Sequence, residues 1–288
     1  MKIIEMMDKQ YPKRLLEIKD PPKKLYVEGN EKLLNKNSLA IVGSRRCSEY
    51  GIKYAKKFAK EIADKGITII SGLALGIDTI AHEISQNCEG KTIAVLGSGL
   101  NKIYPEENVE LFQKILENGG CIISEYKPNE SVNMKNFPKR NRIISGISNG
   151  ILVIEAGYKS GSTITGRYGF EQNKNVFCLP RNIGDLKGVG TNELIQKGAK
   201  LVTNPQEILK EFGIIESYSS MDIKTKSELL KIKKEYKLIY QHISYVPKNI
   251  EYLTIKSGLT IVELHQKLVM MELEGYIKSL PGNNYVRV

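Results

Sequence analysis

Tryptophan is absent from this sequence, and histidine and cysteine are scarce, with three and four residues in a chain of 288. The histidines complete no metal-ligand spacing, and no Cys-x-x-Cys pair occurs, so the sequence predicts neither a metal site nor a disulfide framework. We therefore expect reduced thiols and no bound metal. The scattered cysteines are Cys47, Cys88, Cys121 and Cys178.

Long apolar segments are lacking as well. No basic-then-apolar leader begins the sequence, and no apolar run approaches the roughly 20 residues that span a bilayer, so we expect a cytoplasmic protein without a membrane partner. Positive charge, in contrast, is in excess. The formal net charge of +11 favours a polyanionic partner such as nucleic acid, an anionic membrane surface or a phosphorylated ligand. A generally basic surface would explain the same excess.

Short apolar runs alternate with amphipathic stretches from residue 38 to residue 212. Between the first two runs, apolar residues from Ile52 to Ala63 recur at helical spacing, and Gly66 closes the stretch. The alternation predicts an α/β protein with an extended Rossmann-like, doubly wound sheet. Because short continuous apolar runs suit buried parallel strands, the predicted strands are Leu39–Val42, Ile67–Ile70, Thr92–Leu96, Cys121–Ser124, Ile151–Ile154 and Val176–Leu179.

Composition divides the chain into four parts. Residues 1–36 are polar and interrupted by prolines, and predict a lead-in segment that lies against the core formed by residues 37–213. Residues 214–226 predict a polar linker. Residues 227–288 predict a small C-terminal winged-helix domain, with a first helix within Leu229–Ile243, helices at Ile250–Ser257 and Ile261–Leu273, and a closing hairpin.

Glycine collects where the predicted strands end, which is the edge at which open α/β sheets bind ligands. Glycine lets backbone N–H groups approach an anion closely, and helix N-termini add donors and a positive dipole end. Such loops would form a phosphate-binding crevice, although tight turns require glycine for structural reasons alone. The loop residues are Gly43, Ser44, Arg45 and Arg46 after the first strand, Gly72 after the second, Gly97 after the third, and Ser160, Gly161 and Ser162 after the fifth.

Two familiar nucleotide motifs are missing. No Gly-x-Gly-x-x-Gly follows the first strand and no Gly-x-x-x-x-Gly-Lys-Ser/Thr occurs, which disfavours nicotinamide and nucleoside-triphosphate chemistry, so we expect no cofactor.

A second basic motif combines an aromatic residue, three cations and an amide: Phe137, Lys139, Arg140, Asn141 and Arg142. Arginine forks suit phosphate, and an aromatic ring can stack on a base. The alternatives are a solvated charged loop, or a role for Asn141 and Arg142 in satisfying nearby backbone and carboxylate groups.

In their order along residues 38–203, these motifs resemble the DNA-processing protein A family (DprA, also called Smf) of natural transformation. The resemblance implies an extended Rossmann fold that forms a homodimer, is not an enzyme, binds and protects incoming single-stranded DNA, and helps to load a RecA-type recombinase onto it. The matching stretches are Ile41–Arg45, Ser71–His82, Leu96–Leu100 before Tyr104-Pro105, Phe137–Ile144, Ser160–Ser162 and Gly190–Asn192.

The resemblance also implies roles for individual residues. Arg45 would contact a phosphate, Phe137 would stack on a base, and Arg140 and Arg142 would flank the pocket with Lys139 as a supporting cation. Asp78 and His82 are expected to be structural. The predicted DNA-binding set, without any catalytic residue, is Gly43, Ser44, Arg45, Arg46, Gly72, Phe137, Lys139, Arg140, Asn141, Arg142, Ser160, Gly161 and Ser162.

Two other functions fit parts of the sequence. Related Rossmann-like enzymes cleave the N-glycosidic bond of nucleotides with a glycine-rich loop and a glutamate, and Gly188–Thr191 with Glu155 is a partial match that lacks their Pro-Gly-Gly. We expect Glu155 instead to orient Arg45 or Arg142. A regulator that reads duplex DNA through the winged helix is the other candidate, although the glutamates around Lys267 favour a protein contact or a weak duplex contact.

The sequence departs from the family pattern at Arg181, where a glycine is usual, and the arginine adds a charge beside the predicted pocket. Gly166 and Gly169 stand in a predicted helix where alanine would be expected. Each glycine costs up to about 1 kcal/mol in a helix, so this helix is either softened or closely packed.

Overall fold

A computed structural model describes residues 1–214, 232–245 and 247–287 of the chain. The chain forms two units, Met1–Glu216 and Ser217–Val288. Most of the predicted linker, and the beginning of the first predicted helix of the winged-helix domain, lie outside the described residues. Within the described residues, no helix combines the length and the apolar character that crossing a membrane requires.

The strands of the first unit form one sheet of nine, in the order β1-β2-β6-β5-β4-β3-β7-β8-β9. Strands β3 to β9 run parallel, and β1 and β2 add antiparallel pairs at one edge. The central strands are buried along their whole length because helices cover both faces, which confirms the predicted α/β doubly wound sheet. The strands are β1 Lys2–Glu5, β2 Lys24–Gly29, β3 Ser38–Val42, β4 Thr68–Ser71, β5 Thr92–Leu96, β6 Cys121–Ser124, β7 Gly150–Val153, β8 Asn175–Cys178 and β9 Lys200–Leu201.

The N-terminal segment does more than lie against the core. Its strand β2 pairs with β6, with Tyr26 opposite Ser124, and β1 then pairs with β2. Pro12, Pro21 and Pro22 fall between these two strands, where a missing N–H interrupts no ladder. The segment therefore extends the sheet, which its polar and proline-rich sequence does not indicate.

Helices connect the parallel strands and cover the sheet. Ser48 caps α1 by accepting a hydrogen bond from the N–H of Gly51 at 3.1 Å, and the helix buries an apolar face that includes Phe58 and Ile62. Helix α5 contains Gly166 and Gly169 because it is closely packed: a Cβ atom on Gly169 would lie 2.6 Å from the Val176 side chain. The helices are α1 Glu49–Ala63, α2 Ile77–Ser85, α3 Val109–Glu117, α4 Asn136–Ile147, α5 Gly161–Glu171, α6 Val189–Gln196 and α7 Pro205–Glu211.

The order of the strands leaves a crevice beside β3. From β3 the chain moves outward through β4, β5 and β6, and α4 then returns it to β7 on the other side of β3. Loops that leave β3 and β7 therefore diverge at their carboxyl ends, which is where ligands bind in open α/β sheets.

The second unit has its own core, built around Leu253, Leu264, Leu268 and Met271. A capping box between Thr260 and Glu263 starts its longest described helix. Three helices followed by a hairpin agree with the predicted winged helix, within residues 232–245 and 247–287. The elements are α8 Lys237–Tyr240, β10 Lys248–Asn249, α9 Ile250–Ser257, α10 Ile261–Leu273, β11 Ile277–Leu280 and β12 Asn284–Arg287, with β12 central in a sheet of three strands.

Candidate nucleic-acid interface

A cavity of about 510 Å³ opens at the carboxyl ends of β3 and β7. The loop after β3, the N-terminal half of α4 and the first turn of α5 form its walls. Three segments that are far apart in sequence therefore meet at one place. The predicted residues in its lining are Gly43, Ser44, Arg45, Arg46, Phe137, Arg140, Asn141, Ser160, Gly161 and Ser162.

The loop after β3 is fixed by its own hydrogen bonds. The hydroxyl of Ser44 accepts a hydrogen bond from the N–H of Arg46 at 3.2 Å. The backbone carbonyl of Ser44 accepts one from the N–H of Ile77, also at 3.2 Å. Gly76, with a φ of +81°, lets α2 start beside this loop, since a Cβ there would lie 2.3 Å from the Ser44 carbonyl. The side chains of Arg45 and Arg46 are exposed, while these hydrogen bonds fix the backbone that carries them.

Helix α5 directs its N-terminus at the same cavity. Ser160 precedes the helix and its hydroxyl lies 2.8 Å from that of Ser162. The N–H groups of Gly161 and Ser162 belong to the first turn, where no preceding carbonyl of the helix can accept them. Free donors and the positive end of the helix dipole make this turn suited to a phosphate or another anion.

An aromatic wall closes another side of the cavity. The Phe137 ring lies 5.5 Å from the Tyr104 ring, between centroids, and the guanidinium carbon of Arg45 lies 5.9 Å from its centre. Gly97 makes room for the ring, because a Cβ there would lie 2.8 Å from Cδ1 of Phe137. Phe137 is only 9% exposed and the two rings are tilted by 45°, so the wall offers part of an aromatic surface with a cation beside it, which suits a base and its phosphate.

Sequence reasoning assigned no role to Tyr104. With Gly72 it lines a smaller recess of about 40 Å³ next to the main cavity, and the side chain is 38% exposed. Its proximity to Phe137 arises only in the fold, since Tyr104 lies in the loop after β5 and Phe137 in the first turn of α4. Met134 is a second exposed apolar residue of the lining that no sequence signal indicated.

Arg140 shapes the cavity from inside the protein. Its guanidinium is buried and donates to the carbonyl of Gly72 at 2.7 Å and to the carbonyl of Val95. Burial lowers the pKa of Arg140 to about 10, while the nearby carboxylate of Asp78 acts to raise it. The side chain therefore ties the loop after β4 to the end of β5, and it lines the cavity as a largely buried positive charge.

Arg142 lies outside the lining, which corrects the expectation that it flanks the pocket. It forms a bidentate ion pair with Glu125, at 2.8 and 2.7 Å, and donates to the carbonyl of Asp20 at 2.9 Å. Arg142 is two residues from Arg140 on α4, about 200° around the helix axis, so the two side chains point in different directions. Lys139 is exposed but also lies outside the cavity lining.

Asn141 connects two walls of the cavity. Its Oδ1 atom accepts a hydrogen bond from Nε of Arg140 at 3.2 Å, and its Nδ2 atom donates to the carbonyl of Gly161 at 3.2 Å. The amide thereby fixes the start of α5 relative to α4, which positions the free N–H donors of that turn.

His82 is a packed, hydrogen-bonded imidazole, as predicted. Its Nε2 atom accepts from the N–H of Leu73 at 3.3 Å, and Nδ1 lies 2.7 Å from the hydroxyl oxygen of Thr92. That hydroxyl donates to the carbonyl of Ile69, so Nδ1 carries the proton and the ring is neutral. Burial and the positive charge of Arg140 lower the pKa of His82 to about 3.

Asp78 is structural too. Its buried carboxylate accepts a hydrogen bond from the N–H of Gly72 at 3.1 Å, at the start of α2. Burial raises the pKa of Asp78, and the charge of Arg140 opposes this rise.

Glu155 follows β7 and is fully buried. Its carboxylate accepts hydrogen bonds from the N–H of Ser48, at 3.2 Å, and from the Ser48 hydroxyl. Nη1 of Arg181 lies 3.3 Å from Oε2 of the same carboxylate. Within the described residues the cation paired with Glu155 is thus Arg181, and the prediction that it orients Arg45 or Arg142 is wrong.

Arg181 is itself immobilised by several groups. Its guanidinium carbon lies 4.4 Å from the centre of the Tyr50 ring, and it forms an ion pair with Asp185. The charge that replaces the usual glycine is therefore compensated by Glu155 and Asp185. It ties the end of β8 to the start of α1, which follows the loop that carries Arg45.

The cysteines are all free in the structure, and no group of three or more histidine, cysteine, aspartate or glutamate side chains in the described ranges could hold a metal ion.

Comparison with known proteins identifies the family. Residues 2–213 match the family described as DNA recombination-mediator protein A, and residues 231–283 match the DprA winged helix domain. The chain is 38% identical over 287 residues to Protein Smf of Escherichia coli, covering 96% of this chain and 75% of that protein. It is 44% identical over 207 residues to DNA processing protein DprA of Streptococcus pneumoniae, covering 72% of this chain and 73% of that one.

Two solved structures share the fold. The structure of DprA from Streptococcus pneumoniae superposes with a TM-score of 0.69 at 41% identity and covers 75% of both chains. A structure from Helicobacter pylori, described as giving insight into the single-stranded DNA binding mode of DNA processing protein A, superposes with a TM-score of 0.66 at 35% identity and covers 74% of this chain and 96% of that one. The chain belongs to the DNA recombination-mediator protein A family of DNA-processing proteins.

Proposed function

We propose that the first unit binds single-stranded DNA in the cavity at the ends of β3 and β7. The observation that carries this proposal is the meeting of two chemistries in one place. Exposed Arg45 and Arg46 and the free N–H groups of α5 suit the phosphate backbone, while Phe137 and Tyr104 suit a base.

A single strand fits this arrangement better than a duplex. Aromatic stacking requires an unpaired base whose face is free, whereas the bases of a duplex are stacked on one another. A single-stranded DNA binding mode is described for the relative from Helicobacter pylori, which supports the proposal that this chain binds a single strand. Because phosphate and aromatic contacts read no base edge, binding should tolerate any sequence.

In this proposal the predicted site residues have different roles. Arg45 and Arg46 contact phosphate, and Ser44, Gly43, Gly72 and the Ser160–Ser162 turn line the path of the backbone. Arg140 and Asn141 position these elements. Arg142 stabilises the fold through Glu125, and Lys139 adds only distant attraction.

The wider role follows from family membership. We infer that the protein acts in the cytoplasm as a homodimer in natural transformation, where it protects incoming single strands and helps to load a RecA-type recombinase onto them. The names of the relatives as DNA processing proteins support this role. The rate of recombinase filament assembly on a single strand, with and without the protein, tests it.

The alternative is hydrolysis of the N-glycosidic bond of nucleoside monophosphates, with Glu155 as the acid or base. The contacts of Glu155 weigh against it, because Ser48 and Arg181 occupy the carboxylate and the residue is outside the cavity lining. We therefore propose a binding protein rather than an enzyme. Incubation with nucleoside monophosphates should release no free base, and release that Glu155→Gln abolishes would favour the enzyme.

Fluorescence anisotropy tests the proposed function directly. A labelled oligothymidine and a duplex of equal length are titrated with the protein at several salt concentrations. We expect the single strand to bind more tightly, with an affinity that falls steeply as salt rises. Equal affinity for both forms, or no binding at low salt, would contradict the proposal.

A further inference from the structure

Two loops form a rim next to the N-terminus of α5. Residues 156–160 follow β7, and residues 182–188 follow β8. They pack together through a hydrogen bond from the N–H of Ala156 to the carbonyl of Lys187 at 2.9 Å, and the N–H of Gly190 then donates back to the carbonyl of Ala156 at 2.8 Å. Ser160, at the end of the first loop, lines the cavity. The rim is therefore continuous with the proposed DNA site.

Large apolar side chains on this rim are exposed. Tyr158 is 69% exposed, Ile183 102% and Leu186 80%. A single exposed apolar side chain is ordinary, but here three lie on two loops that pack together beside the proposed DNA site. We call Tyr158, Lys159, Ile183 and Leu186 the rim patch.

The charge of the rim patch favours an anionic ligand. Nζ of Lys159 lies 5.1 Å from the centre of the Tyr158 ring, so a cation and an aromatic face are side by side, as Arg45 and Phe137 are in the cavity. The neighbouring carboxylate of Asp185 is compensated by Arg181 and by the N–H of Lys187.

Lys159 also adopts an unusual backbone conformation. Its φ of +50° lies in the left-handed region, which glycine and asparagine adopt more easily than lysine. A lysine at such a position retains its side chain at the expense of backbone strain, so a glycine there would relieve the backbone and remove the charge.

We propose that the rim patch is a second contact for the same single strand: a nucleotide leaving the cavity past the start of α5 stacks its base on Tyr158 and places a phosphate near Lys159. This proposal rests on the proposed function above. Ile183 and Leu186 then pack against the sides of the base or the sugar. Continuity with the cavity, the pairing of aromatic and cation, and the excess of positive charge favour DNA over a protein as the occupant.

Strand length separates this proposal from the proposed function. Oligothymidines from about 4 to about 16 nucleotides, the range of site sizes found for single-strand binding modules, are titrated by anisotropy. Tyr158→Ala should leave affinity for the shortest strands unchanged and weaken binding of longer strands about tenfold, while Tyr158→Phe retains it. Arg45→Ala should weaken binding at every length.

The outcomes are distinguishable. Equal affinity of Tyr158→Ala and wild type at every length would overturn the rim contact, while Arg45→Ala still tests the cavity. If Arg45→Ala also bound normally, the proposed function would fail as well.

The absence of tryptophan offers a second measurement. In Tyr158→Trp the new indole is the sole tryptophan, and stacking on a base should quench its fluorescence only with strands long enough to reach the rim. Met7→Trp is the matched control, because Met7 is exposed beside β1 at the opposite edge of the sheet. Equal quenching of both variants, or of neither, would contradict the proposal.

Lys159→Gly separates binding from folding. Glycine relieves the left-handed backbone, so the variant should unfold at the same or a higher urea concentration than wild type. It should nevertheless lose one phosphate contact with long strands, which reduces the slope of log K against log salt by about 0.7. An unchanged slope with long strands would remove Lys159 from the contact.

Discussion

The guanidinium carbon of Arg45 lies 5.9 Å from the centre of the Phe137 ring. A cation and an aromatic ring at this separation can bind a phosphate and the base of the same or the next nucleotide. Neither contact requires a particular base, so the pair would account for the sequence-tolerant binding of a single strand that we propose. Its two members also make separable contributions, because only the cation releases counterions.

Replacing Phe137 by leucine tests the aromatic half of this pair. Leucine retains apolar packing against Gly97 but removes the flat face for a base. We expect affinity for a single strand to fall by about 1–2 kcal/mol, with the salt dependence unchanged. Anisotropy at several salt concentrations measures both quantities, and a flatter salt dependence would contradict the stacking role.

Gly161→Ala tests how closely the DNA backbone approaches α5. No protein atom lies within 4 Å of a Cβ placed on Gly161, so the variant should be as stable as wild type or more stable by up to about 1 kcal/mol. The methyl group would nonetheless stand between a phosphate and the N–H groups of the first turn. We expect weaker binding without loss of stability, and wild-type affinity would place the phosphate elsewhere.

Arg140→Gln tests a structural role for the buried arginine. The substitution leaves the carboxylate of Asp78 buried without its cation and removes donors to the Gly72 and Val95 carbonyls. We expect the free energy of unfolding to fall by about 3 kcal/mol or more in urea titrations. A variant with normal stability and lost DNA affinity would instead assign Arg140 to direct contact.

His82 predicts a loss of stability in mild acid. Its pKa is about 3 in the folded protein and 6.5 when unperturbed, so below pH 6.5 the unfolded chain gains a proton that the folded chain does not. The contribution of His82 to the free energy of unfolding is therefore fully present above pH 6.5, and it falls by about 1.4 kcal/mol per pH unit as the pH drops toward 3. Urea titrations of wild type and of His82→Gln between pH 7 and pH 5 measure how stability depends on pH in each. The other titrating groups contribute equally to both, so the difference between the two pH dependences is due to His82. Parallel pH dependences would contradict this assignment.

Buried parallel strands were predictable because they consist of continuous apolar runs. Thr92–Leu96 and Cys121–Ser124 agree with the structure residue for residue. Strand β1 was missed because it is a short edge strand whose register depends on β2, and β2 in turn depends on pairing with β6. Such pairing is decided by tertiary contacts rather than by local sequence.

The location of the cavity was predictable from glycine and arginine at strand ends, as at Gly43 and Arg45. The partner of each charged side chain could not be predicted from the sequence. Arg142 pairs with Glu125, which is 17 residues away, and with Asp20, which is 122 residues away. Arg140 and Arg142, two residues apart in one motif, thus have different partners because the helix turns them toward different neighbours.

The salt dependence of Arg45→Ala tests the central claim most directly. Affinity for a labelled oligothymidine is measured by anisotropy over a series of salt concentrations, for wild type, Arg45→Ala and the control Lys139→Ala, which removes an exposed cation outside the cavity lining. We predict that Arg45→Ala weakens binding and reduces the slope of log K against log salt by about 0.7, the value for one phosphate on a single strand, while Lys139→Ala changes the slope much less. An unchanged slope in Arg45→Ala, or equal changes in both variants, would contradict a phosphate contact at Arg45 and the proposed site.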